Sequence, residues 1–299
     1  MIQTVIQVDG LTKKYGTAYG IKDLTFSVNR GEIFGFLGPN GAGKTTSIRM
    51  MVDLLRPTSG EVQIFGENVL GHAYPILKRT SYLPGEFYPF PELTGHQYLR
   101  LATRMKKGKK DNVQELIHKM DLTELDLRKR IKFYSRGMKQ KLGLIQSFAY
   151  FPELIIMDEP TSGLDPLMQS TFHELVKEAS AHGTTVFLSS HQLSEVEKIC
   201  QRVAIVRAGK LVSLESLESL KKKRYRRLRL VLKTEQTEID IPESIIQKRE
   251  GKQVWLLTRA PAEELIQALA LLPIEDFHLY EPDLEEVFLS YYQSETNDK

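Results

Sequence analysis

The sequence predicts an α/β fold built on a parallel sheet, and three stretches carry that expectation. In the first, Ile33, Phe34, Phe36 and Leu37 form an apolar strand end. It runs into Gly38-Pro39-Asn40-Gly41-Ala42-Gly43-Lys44-Thr45-Thr46. Ile48, Met51, Val52 and Leu55 then recur at helical spacing until Pro57 stops them. The second stretch, Leu154-Ile155-Ile156-Met157, is a continuous apolar run, the pattern of a strand buried on both faces. The third opens at Asp165-Pro166, a cap followed by a first-turn proline. Met168, Phe172, Leu175, Val176 and Ala179 form its apolar face, Gly183 ends it, and Thr184–Leu188 is the next buried strand.

The first stretch fits G-x-x-x-x-G-K-[ST], and its strand–helix context makes it a phosphate-binding loop. Its glycines allow a tight turn that brings bare N–H groups against phosphate oxygens. The following helix adds its unpaired N–H groups and its positive dipole end. Lys44 is placed to reach the β- and γ-phosphates of a nucleotide, and Thr45 to ligate Mg²⁺ through its hydroxyl. Asp158-Glu159 close the second stretch, at the strand end where open α/β sheets put ligands. After a phosphate loop, Asp158 is expected to hold Mg²⁺ and Glu159 to polarise a water as general base.

Composition bounds the reading. The 299 residues suffice for one large domain and a small one. With 41% hydrophobic and 26% charged residues the chain is that of an ordinary globular protein. A net charge of +3 does not by itself argue for a nucleic-acid partner. Cys200 is the sole cysteine, so no intrachain disulfide can form, which suits a reducing compartment. MIQTVIQVDG does not read as a signal peptide. No apolar run approaches the ~20 residues that span a bilayer, so any membrane part is expected from another chain.

Other elements take their places in chain order. Residues 2–8 and 23–28 read as strands, the second from the alternation of Leu24, Phe26 and Val28. Between them Lys13-Lys14-Tyr15-Gly16 is a turn, and Tyr15, upstream of a phosphate loop, is a candidate for stacking on adenine. Val62–Phe65 is a short strand, and residues 82–93, YLPGEFYPFPEL, form a loop. A charged helical pattern runs from Thr94 to about Arg130, with a solvated turn at Lys106–Lys110. In Tyr134-Ser135-Arg136-Gly137-Met138-Lys139-Gln140 a helix begins, with Met138, Leu142, Ile145 and Ala149 on one face. Read alone, that stretch is a Ser-capped helix, and its N-terminus is also able to hold an anion. Thr184–Leu188 delivers Ser189-Ser190-His191 beside the phosphate site, which sets His191 apart from the other six histidines. Val203–Val206 and Lys210–Val212 form a strand pair around Ala208-Gly209.

The order and spacing of GPNGAGKTT, YSRGMKQ, LIIMDEPTSGLDP and SSH resemble the nucleotide-binding domain of ABC transporters, over about residues 2–215. The resemblance implies a P-loop ATPase core with an N-terminal antiparallel β subdomain and a helical subdomain at about 86–150. It makes Tyr15 the adenine-stacking aromatic and Gly38–Thr46 the phosphate loop. Asp158 and Glu159 match the magnesium-ligand aspartate and the catalytic glutamate. Ser135, Gly137 and Met138 fall in the signature segment, Asp165 in the loop that talks across a dimer, and His191 at the switch histidine. Two places depart from the family pattern. Arg136 and Met138 stand where many members have glycine and glutamine, and Gly85 stands where the family has a glutamine. Glu86, next to Gly85, is the candidate to replace it as a magnesium contact.

YSRGMKQ together with an extension ending EPDLEEVF looks like the ATPase subunits of two-component ABC-2-type exporters. The extension, residues 216–299, reads as a small α+β domain. It has strands around Leu228–Leu232, Gln253–Leu257 and Ile274–Tyr280. A helix from Pro261 carries Leu265, Ile266, Leu269 and Leu272, and a last one carries Leu284, Val287, Phe288 and Tyr291. The basic run 221–227 is either a solvated linker or a patch attracted to an anionic leaflet. The resulting expectation is an ATPase, using ATP and Mg²⁺, that powers an integral membrane permease as an exporter. It pairs with a second copy of itself or a homologous subunit, binds no nucleic acid, and sits on the cytoplasmic face of the membrane. The competing reading is a soluble ABC ATPase in regulation, translation or DNA repair. Its translation and repair forms call for two phosphate loops, or a coiled-coil or zinc insertion, which the sequence lacks.

Overall fold

A computed structural model of the chain describes residues 3–104, 112–222, 226–235 and 238–280. The chain divides into two compact units, Met1–Ser216 and Leu217–Lys299. The first unit carries ten strands and eight α-helices among its described residues. The strands are β1 Thr4–Tyr15, β2 Ala18–Asn29, β3 Ile33–Leu37, β4 Ser59–Ile64, β5 Glu67–Asn68, β6 Thr80–Leu83, β7 Leu154–Met157, β8 Thr185–Ser190, β9 Arg202–Arg207 and β10 Lys210–Ser216. The helices are α1 Lys44–Met51, α2 Val69–Arg79, α3 Gly95–Arg104, α4 Val113–Lys119, α5 Glu124–Arg128, α6 Arg136–Phe148, α7 Pro166–Ala181 and α8 Leu193–Ile199.

Two sheets form the core of this unit. One is antiparallel in the order β2-β1-β4-β5. The other runs β10-β9-β3-β8-β7-β6, parallel except for the edge strand β10. Every residue of β3, β7 and β8 is buried, as expected for strands covered on both faces. Phe26 of β2 stacks on Phe34 of β3 at 5.5 Å and on Phe187 of β8 at 6.1 Å, joining the two sheets. The Leu24, Phe26, Val28 alternation therefore faces this shared core. Each fully buried phenylalanine contributes about 1.5–3 kcal/mol of burial.

The structure extends several expected elements and adds others. The first hairpin is longer than 2–8 and 23–28, because the two strands continue pairing to Tyr15↔Ala18. The helix after the phosphate loop ends at Met51, before the Leu55 expected from its periodicity. β6, residues 80–83, takes in the first two residues of the loop expected over 82–93, because it pairs with β7 from Thr80↔Leu154 to Leu83↔Met157. Helix α2 arises despite Gly71 and Pro75. Regular helical geometry resumes after His72, so Pro75 sits near its start, where a missing N–H costs little. α8, just after His191, is an element the sequence pattern does not point to. The Lys106–Lys110 turn lies outside the described residues.

In the second unit α9 spans Leu217–Lys222. Beyond it lies a four-stranded antiparallel sheet, ordered β12-β13-β11-β14, from β11 Arg226–Leu232, β12 Ser244–Glu250, β13 Gln253–Thr258 and β14 Ile274–Tyr280. Leu228, Leu230, Leu232, Val254 and Leu256 are buried with Leu265 of α10 Ala262–Leu271. The expected alternation in β11 is thus a one-sided core. β12 is not legible in the sequence, because its residues are mostly polar or charged and exposed, and only its pairing with β13 makes it a strand. The basic run 221–227 is not one linker: 221–222 end α9, and Arg226-Arg227 begin β11. The helix expected over 284–291 lies outside the described residues.

Candidate functional site

Parallel pairing gathers the site. Leu37 of β3 is opposite Ser190 of β8, and Met157 of β7 is opposite Leu188. Three carboxyl ends therefore lie side by side, and each leads directly into a chemically active group: Gly38, Asp158-Glu159 and His191.

The phosphate loop turns between β3 and α1. Gly41 and Gly43 adopt φ of 81° and 100°, the left-handed region that only glycine enters without strain. A Cβ at Gly43 would come within 2.5 Å of Ile21 and 2.7 Å of the Gly20 carbonyl, so the loop is pressed against the first hairpin. That hairpin also carries Tyr15, whose ring packs on Gly20 and is 53% exposed. Tyr15 thus stands with an open ring beside the loop. Pro39, Asn40, Gly41 and Thr45 are exposed, whereas Gly38, Ala42 and Lys44 are buried, with Gly43 and Thr46 between.

Lys44 is 6% exposed, and its Nζ donates to the carbonyls of Gly38 at 2.7 Å and Pro39 at 3.2 Å. It also lies 3.1 Å from Oε1 of Glu159. That oxygen has no aligned hydrogen-bond donor, so the contact with Lys44 is one of charge. The other oxygen, Oε2, is 2.6 Å from Nδ1 of His191. Glu159 itself has φ of 49°, a left-handed conformation costly for a residue with a side chain. Its N–H donates to Ser189 Oγ at 3.0 Å, which helps hold that conformation.

Thr45 Oγ1 donates to Oδ2 of Asp158 at 2.6 Å, and Ser189 Oγ donates to Oδ1 at 2.5 Å. Asp158 is 2% exposed, and its charge adds to burial in raising the Tyr82 hydroxyl above its ordinary pKa. The Thr45–Asp158 pair tests the fit of a divalent cation. Both groups offer hard oxygen donors, the Thr45 hydroxyl and the Asp158 carboxylate. Few protein oxygens, with phosphate and water completing the shell, are what Mg²⁺ prefers.

The structure does not gather every expected residue here. Glu86 is exposed, and its Oε2 accepts from the Tyr88 hydroxyl at 3.3 Å. Gly85 is the neighbour of the metal-ligand candidate, since a Cβ there would lie 3.3 Å from Asp158 Oδ2. Ser135 caps α6, accepting from the N–H of Met138 at 3.1 Å. Gly137 faces the carbonyl of Gly163, and Arg136 donates to Ser162 at 2.6 Å. Asp165 caps α7 through Met168 at 3.0 Å. The contacts of these four residues are with the 162–163 turn and their own helices, not with the phosphate loop.

Sequence reasoning assigns no role to four residues of the buried surroundings. Ser189 bridges Asp158 and Glu159. Gln140 donates to the Pro160 carbonyl at 2.6 Å. Thr161 and Glu195 bond at 2.5 Å. The strings SSH, YSRGMKQ and LIIMDEPTSGLDP contain three of them, but nothing in the local pattern marks Glu195.

The ABC transporter family profile matches residues 21–162. The bacitracin transport ATP-binding protein of Bacillus licheniformis is 40% identical over 222 residues, covering 71% of this chain and 69% of that protein. A daunorubicin resistance ATP-binding protein of Streptomyces coeruleorubidus is 36% identical over 217 residues, 71% and 68%. Among solved structures, an ATP-binding subunit of an ABC transporter superposes with a TM-score of 0.68 at 30% identity, covering 73% of this chain and 92% of that one. A dimeric bacterial ABC transporter cassette gives 0.65 at 24% identity, 71% and 98%, and shares the fold. The phosphate loop and the acidic strand end thus sit on the fold these relatives predict, and the chain belongs to the ABC transporter family as an ATP-binding and ATP-hydrolysing subunit.

Proposed function

We propose that ATP hydrolysis runs at the meeting point of Lys44, Thr45, Asp158, Glu159 and His191, and that it drives a separate membrane permease acting as an exporter. One observation carries this reading. The two oxygens of Glu159 lie 3.1 Å from Lys44 Nζ and 2.6 Å from His191 Nδ1, while Thr45 and Asp158 pair 2.6 Å apart. A phosphate-binding cation, a candidate base, a histidine and a pair of hard oxygen ligands therefore meet at neighbouring strand ends.

The loop N–H groups bind the phosphates, and Lys44 turns from the Gly38 and Pro39 carbonyls to the γ-phosphate. That movement frees Glu159 from the ammonium. Glu159 then takes a proton from the attacking water, with His191 holding the other carboxylate oxygen. Tyr15 stacks on the adenine. Thr45 and Asp158 would hold Mg²⁺, which neutralises developing phosphate charge when bound. In this reading Ser135, Gly137 and Met138 serve the nucleotide of a second copy, and Asp165 faces that copy's site.

Export rests on likeness to the bacitracin and daunorubicin resistance proteins, whose names give transport and drug resistance as their roles. No described helix is long and apolar enough to cross a membrane, which fits a permease supplied by another chain. Placement at the cytoplasmic face follows from that partnership.

Glu159→Gln tests the site. It keeps shape while removing the base, so turnover falls about 10²–10⁴-fold. ATP binding survives, and size-exclusion chromatography with ATP and Mg²⁺ shows a trapped dimer. Normal turnover by this variant refutes the assignment.

A further inference from the structure

We propose that Glu195 is a positioning residue for ATP hydrolysis, fixing the turn that carries Glu159 against the strand end that carries His191. The inference rests on the reading of Glu159 and His191 above. Glu195 lies in α8, and the described phosphate-site contacts do not include it. It is 7% exposed, and both carboxylate oxygens are engaged by hydroxyls. Oε1 accepts from Thr161 Oγ1 at 2.5 Å, and Oε2 accepts from Ser190 Oγ at 2.7 Å. Thr161 stands two residues after Glu159, and Ser190 directly precedes His191.

One carboxylate therefore ties together the two segments whose side chains meet at 2.6 Å. Hydroxyl bonds to a carboxylate are short and stronger than neutral ones. The bond matters because the Glu159 segment is under strain. Glu159 holds a φ of 49°, a conformation that persists only where its surroundings impose it. Three tethers do so: Ser189 on the Glu159 N–H, Gln140 on the Pro160 carbonyl and Glu195 on the Thr161 hydroxyl. Ser189 belongs to the strand end before His191, and Glu195 adds a second hold between that end and the turn, through Ser190 and Thr161. Release of this clamp lets the turn relax and moves the Glu159 carboxylate away from His191, with the phosphate loop untouched.

A positioning role separates from a general structural one by its kinetic pattern and its need for a hydroxyl. The experiment compares Glu195→Gln, Thr161→Val, Thr161→Ser and Ser190→Ala in the full chain. It measures steady-state ATP hydrolysis, titration of a fluorescent ATP analogue, and thermal melting. Glu195→Gln offers one acceptor where two hydroxyls need two, so kcat falls about tenfold or more, since a misplacement of about 1 Å can cost on the order of 10²-fold. Affinity for the analogue stays within about twofold, as for an interaction used only in the transition state. Thr161→Val reproduces the kcat loss with Glu195 in place, and Thr161→Ser, which keeps the hydroxyl, restores turnover. In a Glu159→Gln background, Glu195→Gln lowers turnover no further.

Full turnover by Glu195→Gln and Thr161→Val alongside an inactive Glu159→Gln overturns the positioning role alone. Loss of turnover that tracks weaker binding of the analogue, or that Thr161→Ser does not restore, also overturns it. A Glu159→Gln variant with normal turnover overturns the base assignment and this inference with it.

Discussion

At the scale of single residues, Lys44 has two allegiances. Its ammonium satisfies two loop carbonyls and sits 3.1 Å from Glu159. A buried ammonium needs such partners, because leaving water without them is costly. Phosphate supplies stronger ones. Lys44→Ala therefore removes a charge-assisted contact worth roughly 1.5–3 kcal/mol, so ATP affinity falls at least about tenfold. Titration with a fluorescent ATP analogue reads this directly, and unchanged affinity counts against the lysine's role. Phe87 makes the opposite point about reading a residue by type. Three aromatics lie close together in the 82–93 loop, but they differ in place. Phe87 meets Tyr98 edge-on at 5.9 Å and lies against Gly143, whereas Tyr88 is 80% and Phe90 59% exposed.

At the scale of elements, helix ends carry much of the local order. α5 has only five residues, too short to persist on propensity. It starts from a capping box in which Thr123 accepts from the Asp126 N–H and Asp126 accepts from the Thr123 N–H. The Thr123 hydroxyl, assisted by Lys129, holds the Asp126 carboxyl down to about 2. A depressed pKa means the ionised form is favoured by folding. That stabilisation is complete above the unfolded value of about 4 and is lost as pH falls through about 2. Thr123→Ala costs about 0.5–2 kcal/mol at neutral pH, measured by urea unfolding. Asp126→Asn flattens the fall in stability between about pH 4 and 2, and an unchanged acid limb refutes the linkage.

At the scale of the whole molecule, the proposed function divides each site between two copies. A Gly137→Asp subunit keeps its own phosphate loop and so still binds ATP as a monomer. Its carboxylate repels the partner's γ-phosphate, and hydrolysis stops. Because a Cβ at Gly137 already lies 3.0 Å from the Gly163 carbonyl, Gly137→Ala serves as the steric control. Mixing Gly137→Asp with Lys44→Ala subunits restores one complete site, read as turnover above that of either variant alone. Weakened ATP binding by monomeric Gly137→Asp refutes the division. For the permease, Tyr88→Ala and Phe90→Ala are expected to weaken co-purification from membranes while sparing ATP binding. Phe87→Ala should instead lower the melting temperature, because its ring fills the space against Gly143. Equal recovery of the permease by all three variants removes the loop as a docking surface.

The sequence by itself determined what is local. Gly41 and Gly43 are the turn glycines, Ser135 and Asp165 are helix caps, and each apolar run before a polar pair is a buried strand. Such features depend on neighbours within a few residues, and short-range sterics and hydrogen bonding write them into the string. The tertiary structure decided what depends on strand order. β6 and β12 become strands only by pairing with β7 and β13. The Lys44 ammonium reaches Glu159, 115 positions away in the numbering (159 − 44), only because β3 and β7 both flank β8. Glu195 shows nothing in its own helix, because its meaning comes from Thr161 and Ser190. Hydrogen bonds across such distances in sequence leave no periodicity, since their geometry exists only once the sheet has closed.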